Sequence, residues 1–185
     1  MINANDIKVG MTIKYEGVIY QVIDTEHVKS GKGVSFLRAK VKNLVAHTTQ
    51  ELRVEDKDTV EKADVRKVPC SYLYSTGDTF VFMDNVNFEQ FELTKDMVED
   101  DIKFLKEGMN VQSMSIEGEV VGIDLPEKVS YKVISAPEAV KGNTTSSAQK
   151  DITIETGYTL KAPLFISEGE EVIITTRDGK YFSRG

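Results

Sequence analysis

Lys32 stands between two glycines in the run His27-Val28-Lys29-Ser30-Gly31-Lys32-Gly33. Glycine accepts positive φ at little steric cost, so a chain written this way can turn sharply on either side of the lysine. The ammonium is then carried on a four-carbon stem as a contact point. An exposed lysine on a turn is by itself ordinary solubilising surface, but the neighbourhood sharpens the reading. No acidic residue occurs from His27 to Gln50, while Lys29, Lys32, Arg38, Lys40 and Lys42 all fall within those 24 residues. The whole chain carries a net charge of −7. A basic window on an acidic background points to directed contact with phosphate rather than to general adhesion to nucleic acid.

Catalysis is harder to assemble. A P-loop needs G-x-x-x-x-G-K-[ST] between a strand and a helix. Aligned on Gly31-Lys32, the first glycine position holds Glu26, Gly33 replaces the Ser or Thr, and strand pattern follows. The many carboxylates offer no evident acid–base pair, and there is no nucleophile–base pair to name. One cysteine, Cys70, and two separated histidines, His27 and His47, cannot make a zinc site of the usual type. The expectation is a protein that is not an enzyme and uses no metal or cofactor.

The elements that carry Lys32 are β-patterned. Val18–Ile23 lies before it and Val34–Leu37 after it, both rich in branched and aromatic residues, which makes the lysine a hairpin tip. Turn signals recur at Glu16-Gly17, Thr76-Gly77-Asp78, Glu117-Gly118, Glu168-Gly169-Glu170 and Asp178-Gly179. Strands spaced by about ten residues with such punctuation predict small barrels rather than a parallel sheet. One helix is expected from about Lys95 to Glu107, with Thr94 as N-cap, Asp96 in the first turn and Gly108 as the stop. Val98, Ile102 and Leu105 would share its buried face, leaving Glu99, Asp100 and Asp101 in water.

Two breaks divide the 185 residues, near Ala63-Asp64-Val65 and at Asp124-Leu125-Pro126-Glu127. The expected blocks are 1–64, 65–126 and 127–185. Residues 1–64 carry 10 basic and 10 acidic side chains, 65–127 carry 5 and 13, and 128–185 carry 8 and 7. The acidic middle is ill suited to nucleic acid, so RNA contact would fall to the two ends. Cys70 is alone, no apolar stretch approaches the roughly 20 residues of a membrane span, and Ile2-Asn3-Ala4-Asn5-Asp6 has no signal-peptide character. The cytoplasm, away from membranes, is the expected compartment.

Taken in order, the motifs resemble translation elongation factor P along nearly the whole chain. They are His27 to Gly33 followed by Phe36 and Arg38; Tyr72-Leu73-Tyr74, Gly77-Asp78, Phe82-Met83-Asp84 and Phe88-Glu89-Gln90; then Lys141-Gly142, Glu155-Thr156-Gly157, Pro163-Leu164-Phe165-Ile166, Glu168-Gly169 and Thr176-Arg177-Asp178-Gly179-Lys180-Tyr181. The resemblance implies an all-β chain: an SH3-like (KOW-like) barrel and two OB-fold barrels in series, one short helix in the middle domain, and an L-shaped arrangement like a tRNA. It implies a monomer that binds the ribosome between the P and E sites and promotes peptide-bond formation on stalled ribosomes, above all at consecutive prolines. Lys32 matches the family's tip lysine, which reaches towards the peptidyl-transferase centre beside the CCA end of P-site tRNA. In many members a modifying enzyme extends that lysine covalently. The implied contacts with P-site tRNA and ribosomal RNA are His27, Lys29, Ser30, Gly31, Gly33, Arg38, Lys40 and Lys42 around the tip, and Tyr181 and Arg184 near the C-terminus.

The chain departs from the family in two places. Ser30 stands where many members have proline. The loop that usually reads Lys-Gly-Asp-Thr, close to the E-site mRNA codon, is here Lys141-Gly142-Asn143-Thr144-Thr145-Ser146-Ser147. Gly142, Asn143 and Thr144 are the candidate codon contacts, and Asn143 can both donate and accept hydrogen bonds. An elongation-factor-P-like paralogue with the same barrels and another ribosomal or RNA target is the alternative reading.

Overall fold

The computed structural model describes residues 1–29, 31, 33, 35–138 and 148–185. Among them the chain is nearly all β, in three sheets. The first is built from β1 (Ile2–Asn3), β2 (Thr12–Tyr15), β3 (Val18–Val28), β4 (Phe36–Asn43), β5 (Thr49–Glu55) and β6 (Thr59–Lys62), in the order β1-β6-β2-β3-β4-β5. The second holds β7 (Arg66–Thr76), β8 (Thr79–Asp84), β9 (Gln90–Thr94), β10 (Asn110–Ile116) and β11 (Glu119–Asp124), in the order β11-β10-β7-β8-β9. The third holds β12 (Lys128–Ser135), β13 (Gln149–Ile154), β14 (Thr159–Pro163), β15 (Glu171–Thr175) and β16 (Lys180–Arg184), in the order β14-β13-β12-β15-β16. Two compact units result, Met1–Lys67 with Ser113–Gly122, and Val68–Gln112 with Ile123–Gly185.

The side-chain period of two explains the first unit. Along β4, Leu37, Ala39 and Val41 are fully buried, while Arg38 and Lys40 between them are exposed. The inward set packs with Ile13, Val22, Val54 and Val60 in one core. The strands are joined by tight turns wherever the sequence allows φ > 0. Glu16 and Gly17, at φ 49° and 81°, link β2 to β3 directly after the Tyr15–Val18 pair. Two consecutive positive φ angles define the turn that matches the twist of a hairpin.

In the second unit the expected helix is much shorter than its sequence pattern. The α-helix α1 is Lys95–Val98, and a single 3-10 turn, Ile102–Phe104, follows. Tertiary bonds hold that second turn. The Tyr131 hydroxyl donates to the Phe104 carbonyl at 2.7 Å, and the Thr156 hydroxyl donates to the Lys103 carbonyl at 2.7 Å. Those oxygens face the third sheet instead of the next helical turn. Val98 and Leu105 are buried as expected, but Phe104 is the anchor: it lies in the core of the third sheet with Tyr131, Val133, Ile152, Ile154, Val172 and Ile174.

Other bonds reinforce that anchor. Tyr158 packs edge-on against Phe104 and donates its hydroxyl to the Gly179 carbonyl. Gly179 has φ 69°, and a Cβ there would lie 2.5 Å from the Tyr158 oxygen, so no other residue fits without displacement. Lys106 donates to the Ser130 carbonyl at 2.8 Å and pairs with Glu155 at 3.2 Å. Burial, and after it the nearby Glu155, pushes the Tyr131 phenol up, so it remains a hydrogen-bond donor throughout the ordinary pH range.

Phe104→Ala should cost about 3–5 kcal/mol of stability, the usual loss for a fully buried aromatic. Urea denaturation of the full chain measures it. A loss below about 1 kcal/mol would remove Phe104 from its role as anchor.

Candidate nucleic-acid interface

The hairpin of β3 and β4 is paired from Tyr20↔Asn43 to Val28↔Phe36, with an irregularity between Val22 and Asp24. Residues 29–35 connect the two strands, and Lys32 is the midpoint of that run. Ser30 and Lys32 lie outside the described residues. His27, Lys29, Gly31 and Gly33 are exposed. Arg38 and Lys40 are exposed and Lys42 is half-buried.

Sheet register revises the electrostatics of this face. The 27–50 window is free of acid along the chain but not in space. Arg38 pairs across the sheet with Glu26 on β3, and its neighbour on the other side, β5, supplies Glu51. Its guanidinium bonds both, Nη1 to Glu26 at 3.2 Å and Nε to Glu51 at 3.2 Å. Lys40 lies opposite Asp24 on one side and Glu51 on the other. The face is therefore a mosaic, with carboxylates from β3 and β5 flanking the cations of β4. A linear scan cannot see this, because each partner sits beyond one end of the window.

The same register exposes a residue that linear reading missed. Arg53, on β5, pairs with Arg38 and lies over the ring of Phe36, 4.0 Å from its centroid. Translating the β4–β5 hairpin into register would have found it.

The C-terminal candidates belong to the second unit. Tyr181 is half-buried against the core of the third sheet, which makes it first a packing residue. Arg184 is exposed, forms an ion pair with Glu170 and lies 6.0 Å from the Phe165 ring centroid. Gly142, Asn143 and Thr144 lie outside the described residues. Among the described residues no three His, Cys, Asp or Glu side chains gather as a metal site would require, and no helix is long and apolar enough to cross a membrane.

Small β-sheets in series, the first with an exposed hairpin of interleaved charges, define the fold class, and family comparison makes it specific. Residues 3–60 match the KOW-like domain of elongation factor P, 65–123 its OB domain and 129–184 its C-terminal domain. The chain belongs to the elongation factor P family, and the assignment rests on these three matches in order. Two solved structures are also similar. One is eukaryotic translation initiation factor 5A from Methanococcus jannaschii, at 22% identity and TM-score 0.46, covering 68% of this chain and 90% of that one. The other is a translation initiation factor eif-5a family protein from Naegleria fowleri, at 15% identity and TM-score 0.41, covering 67% and 96%.

The Glu170 carboxyl is held below the ordinary value of 4.5, first by the Ser167 backbone N–H at 2.9 Å and then by the Arg184 guanidinium. A carboxylate whose folded value is depressed contributes stability above its unfolded value. That contribution is lost as pH falls through the folded one. In Arg184→Ala, the Glu170 midpoint followed by NMR titration should rise but stay below 4.5, because the Ser167 N–H remains. An unchanged midpoint would show that the ion pair does not hold in solution.

Proposed function

We propose that this chain is a translation elongation factor that binds the ribosome between the P and E sites and speeds peptide-bond formation on ribosomes stalled at consecutive prolines. Lys32 is its working residue. The observation that carries the reading is the placement of the His27–Gly33 motif. It begins on the last two residues of β3, His27 and Val28, which are still paired with Leu37 and Phe36, and runs on into the connection to β4. β5 pairs with β4 as far as Phe36 and Glu55, so the connection leaves from the end of a three-stranded ladder whose buried face is core. Lys32, the midpoint of that connection in sequence, is the side chain this edge of the first sheet would present to RNA.

The contribution to rate is positional. Proline, as a secondary amine with fixed φ and no N–H, restricts the poses open to the donor and acceptor. Fixing the CCA end of P-site tRNA in a reactive geometry lowers the entropic part of the barrier, and the chemistry remains the ribosome's. Covalent lengthening of Lys32 by a modifying enzyme would extend its reach with no change in the backbone. Lys29 and Lys40 supply attraction to tRNA and ribosomal RNA phosphates. The acidic middle block, with 5 basic and 13 acidic residues over 65–127, turns away from RNA and limits wrong docking. A cytoplasmic monomer fits this work.

A reconstituted translation system lacking the factor, programmed with a proline-run template, tests the reading. The native, fully modified protein should restore full-length product. Lys32→Ala should restore none while melting at the same temperature, since a tip side chain adds little packing. Full activity of Lys32→Ala would remove the tip from the mechanism. Failure of the folded native protein would favour a paralogue with another target.

A further inference from the structure

We infer that Arg53, mounted on Phe36, is an RNA-phosphate contact that extends the tip's grip onto the flank of the hairpin, an inference that rests on the ribosome-binding function proposed above. On β5 the outward residues are Glu51, Arg53 and Glu55, so two carboxylates bracket one arginine on the same face. Arg53 acts on Glu55 through space, as the last of the influences that keep that carboxyl low, but each carboxylate has its close ion pair with another cation. Glu51 is bonded by Arg38 at 3.2 Å. Glu55 is bonded by Lys57 at 2.8 Å, and that hydrogen bond is the main reason its carboxyl titrates low. Arg53 is left without an ion pair among the described residues and lies instead against the Phe36 ring, 4.0 Å from the centroid.

That arrangement differs from Arg38 in the way that matters for a polyanion. Arg38 must release Glu26 and Glu51 before it can accept a phosphate, and both carboxylates would then repel the newcomer. Arg53 has no hydrogen-bonded carboxylate to release among the described residues, and its longer-range attraction to Glu55 leaves its N–H donors unused. An aromatic face restrains the guanidinium without consuming its N–H donors, which remain free for a forked bond to two phosphate oxygens. Its position is also right. Phe36 is the first β4 residue after the tip connection and pairs with Val28, so the Arg53–Phe36 pair sits at the tip-proximal end of the sheet.

The experiment measures the affinity of the full chain for ribosomes carrying peptidyl-tRNA in the P site and an empty E site, across a salt series. Wild type should show log K falling linearly with log salt. Arg53→Ala should flatten that slope by about 0.7–0.9, one phosphate contact, and weaken binding about tenfold at low salt. Arg53→Lys should keep the slope but bind more weakly than wild type, because the charge survives and the planar fork does not. Phe36→Leu, which keeps an apolar side chain at the site, should weaken binding with the slope intact. Arg38→Ala should change the slope less than Arg53→Ala. An unchanged slope in Arg53→Ala, with wild-type binding salt-dependent, would overturn the inference and leave the proposed function standing. Wild-type protein that does not bind these ribosomes would overturn both.

Discussion

Antiparallel pairing of β4 with β3 on one side and β5 on the other is the constraint on which the candidate site depends. β4 alternates strictly, with Leu37, Ala39 and Val41 fully buried and Arg38 and Lys40 turned to water. A slip of one residue would drive two cations into the core of the first sheet, which no surface interaction could offset. The buried face therefore locks the register, and the register decides which charges meet outside. Arg38 falls between Glu26 and Glu51 for that reason, and Arg53 falls beside Phe36 for the same one. The chemistry of the exposed face follows from apolar packing on the other.

A second anchor organises the other unit. Phe104 leaves the short helical segment to lie in the core of the third sheet, with Tyr131 and Thr156 taking the carbonyls that a longer helix would have used. Burial of an aromatic ring of this size is worth several hydrogen bonds, so the packing of Phe104 fixes the path of the chain after α1. The segment is best described as a plug: α1, one 3-10 turn, and a phenylalanine held by Tyr158 and the Gly179 turn.

Much of this was legible along the chain. Glu16-Gly17, Gly77, Glu117-Gly118, Gly169 and Gly179 all mark turns with positive φ, because few residues other than glycine enter that region cheaply. The all-β class and the family followed from strand spacing and motif order. What failed were inferences that treated the chain as a line. The stretch Lys95–Glu107 had helical periodicity, but α1 stops at Val98, and the carbonyls of Lys103 and Phe104 are taken by hydroxyls 53 and 27 residues away in sequence. The basic window looked uniform because its counter-charges, Glu26 and Glu51, lie just outside it and arrive only through cross-strand pairing. Arg53 was hidden by the same geometry.

The central claim is that Lys32 works beside the 3′ end of P-site tRNA, and proximity tests it most directly. A photoreactive amino acid placed at position 32, in full-length protein bound to ribosomes stalled on a proline run, should crosslink to the CCA end of the P-site tRNA. The same group at exposed Lys161, on the other unit, should not. Crosslinks from position 32 that fall on ribosomal RNA or protein away from the peptidyl-transferase centre, with none to the tRNA end, would contradict the account.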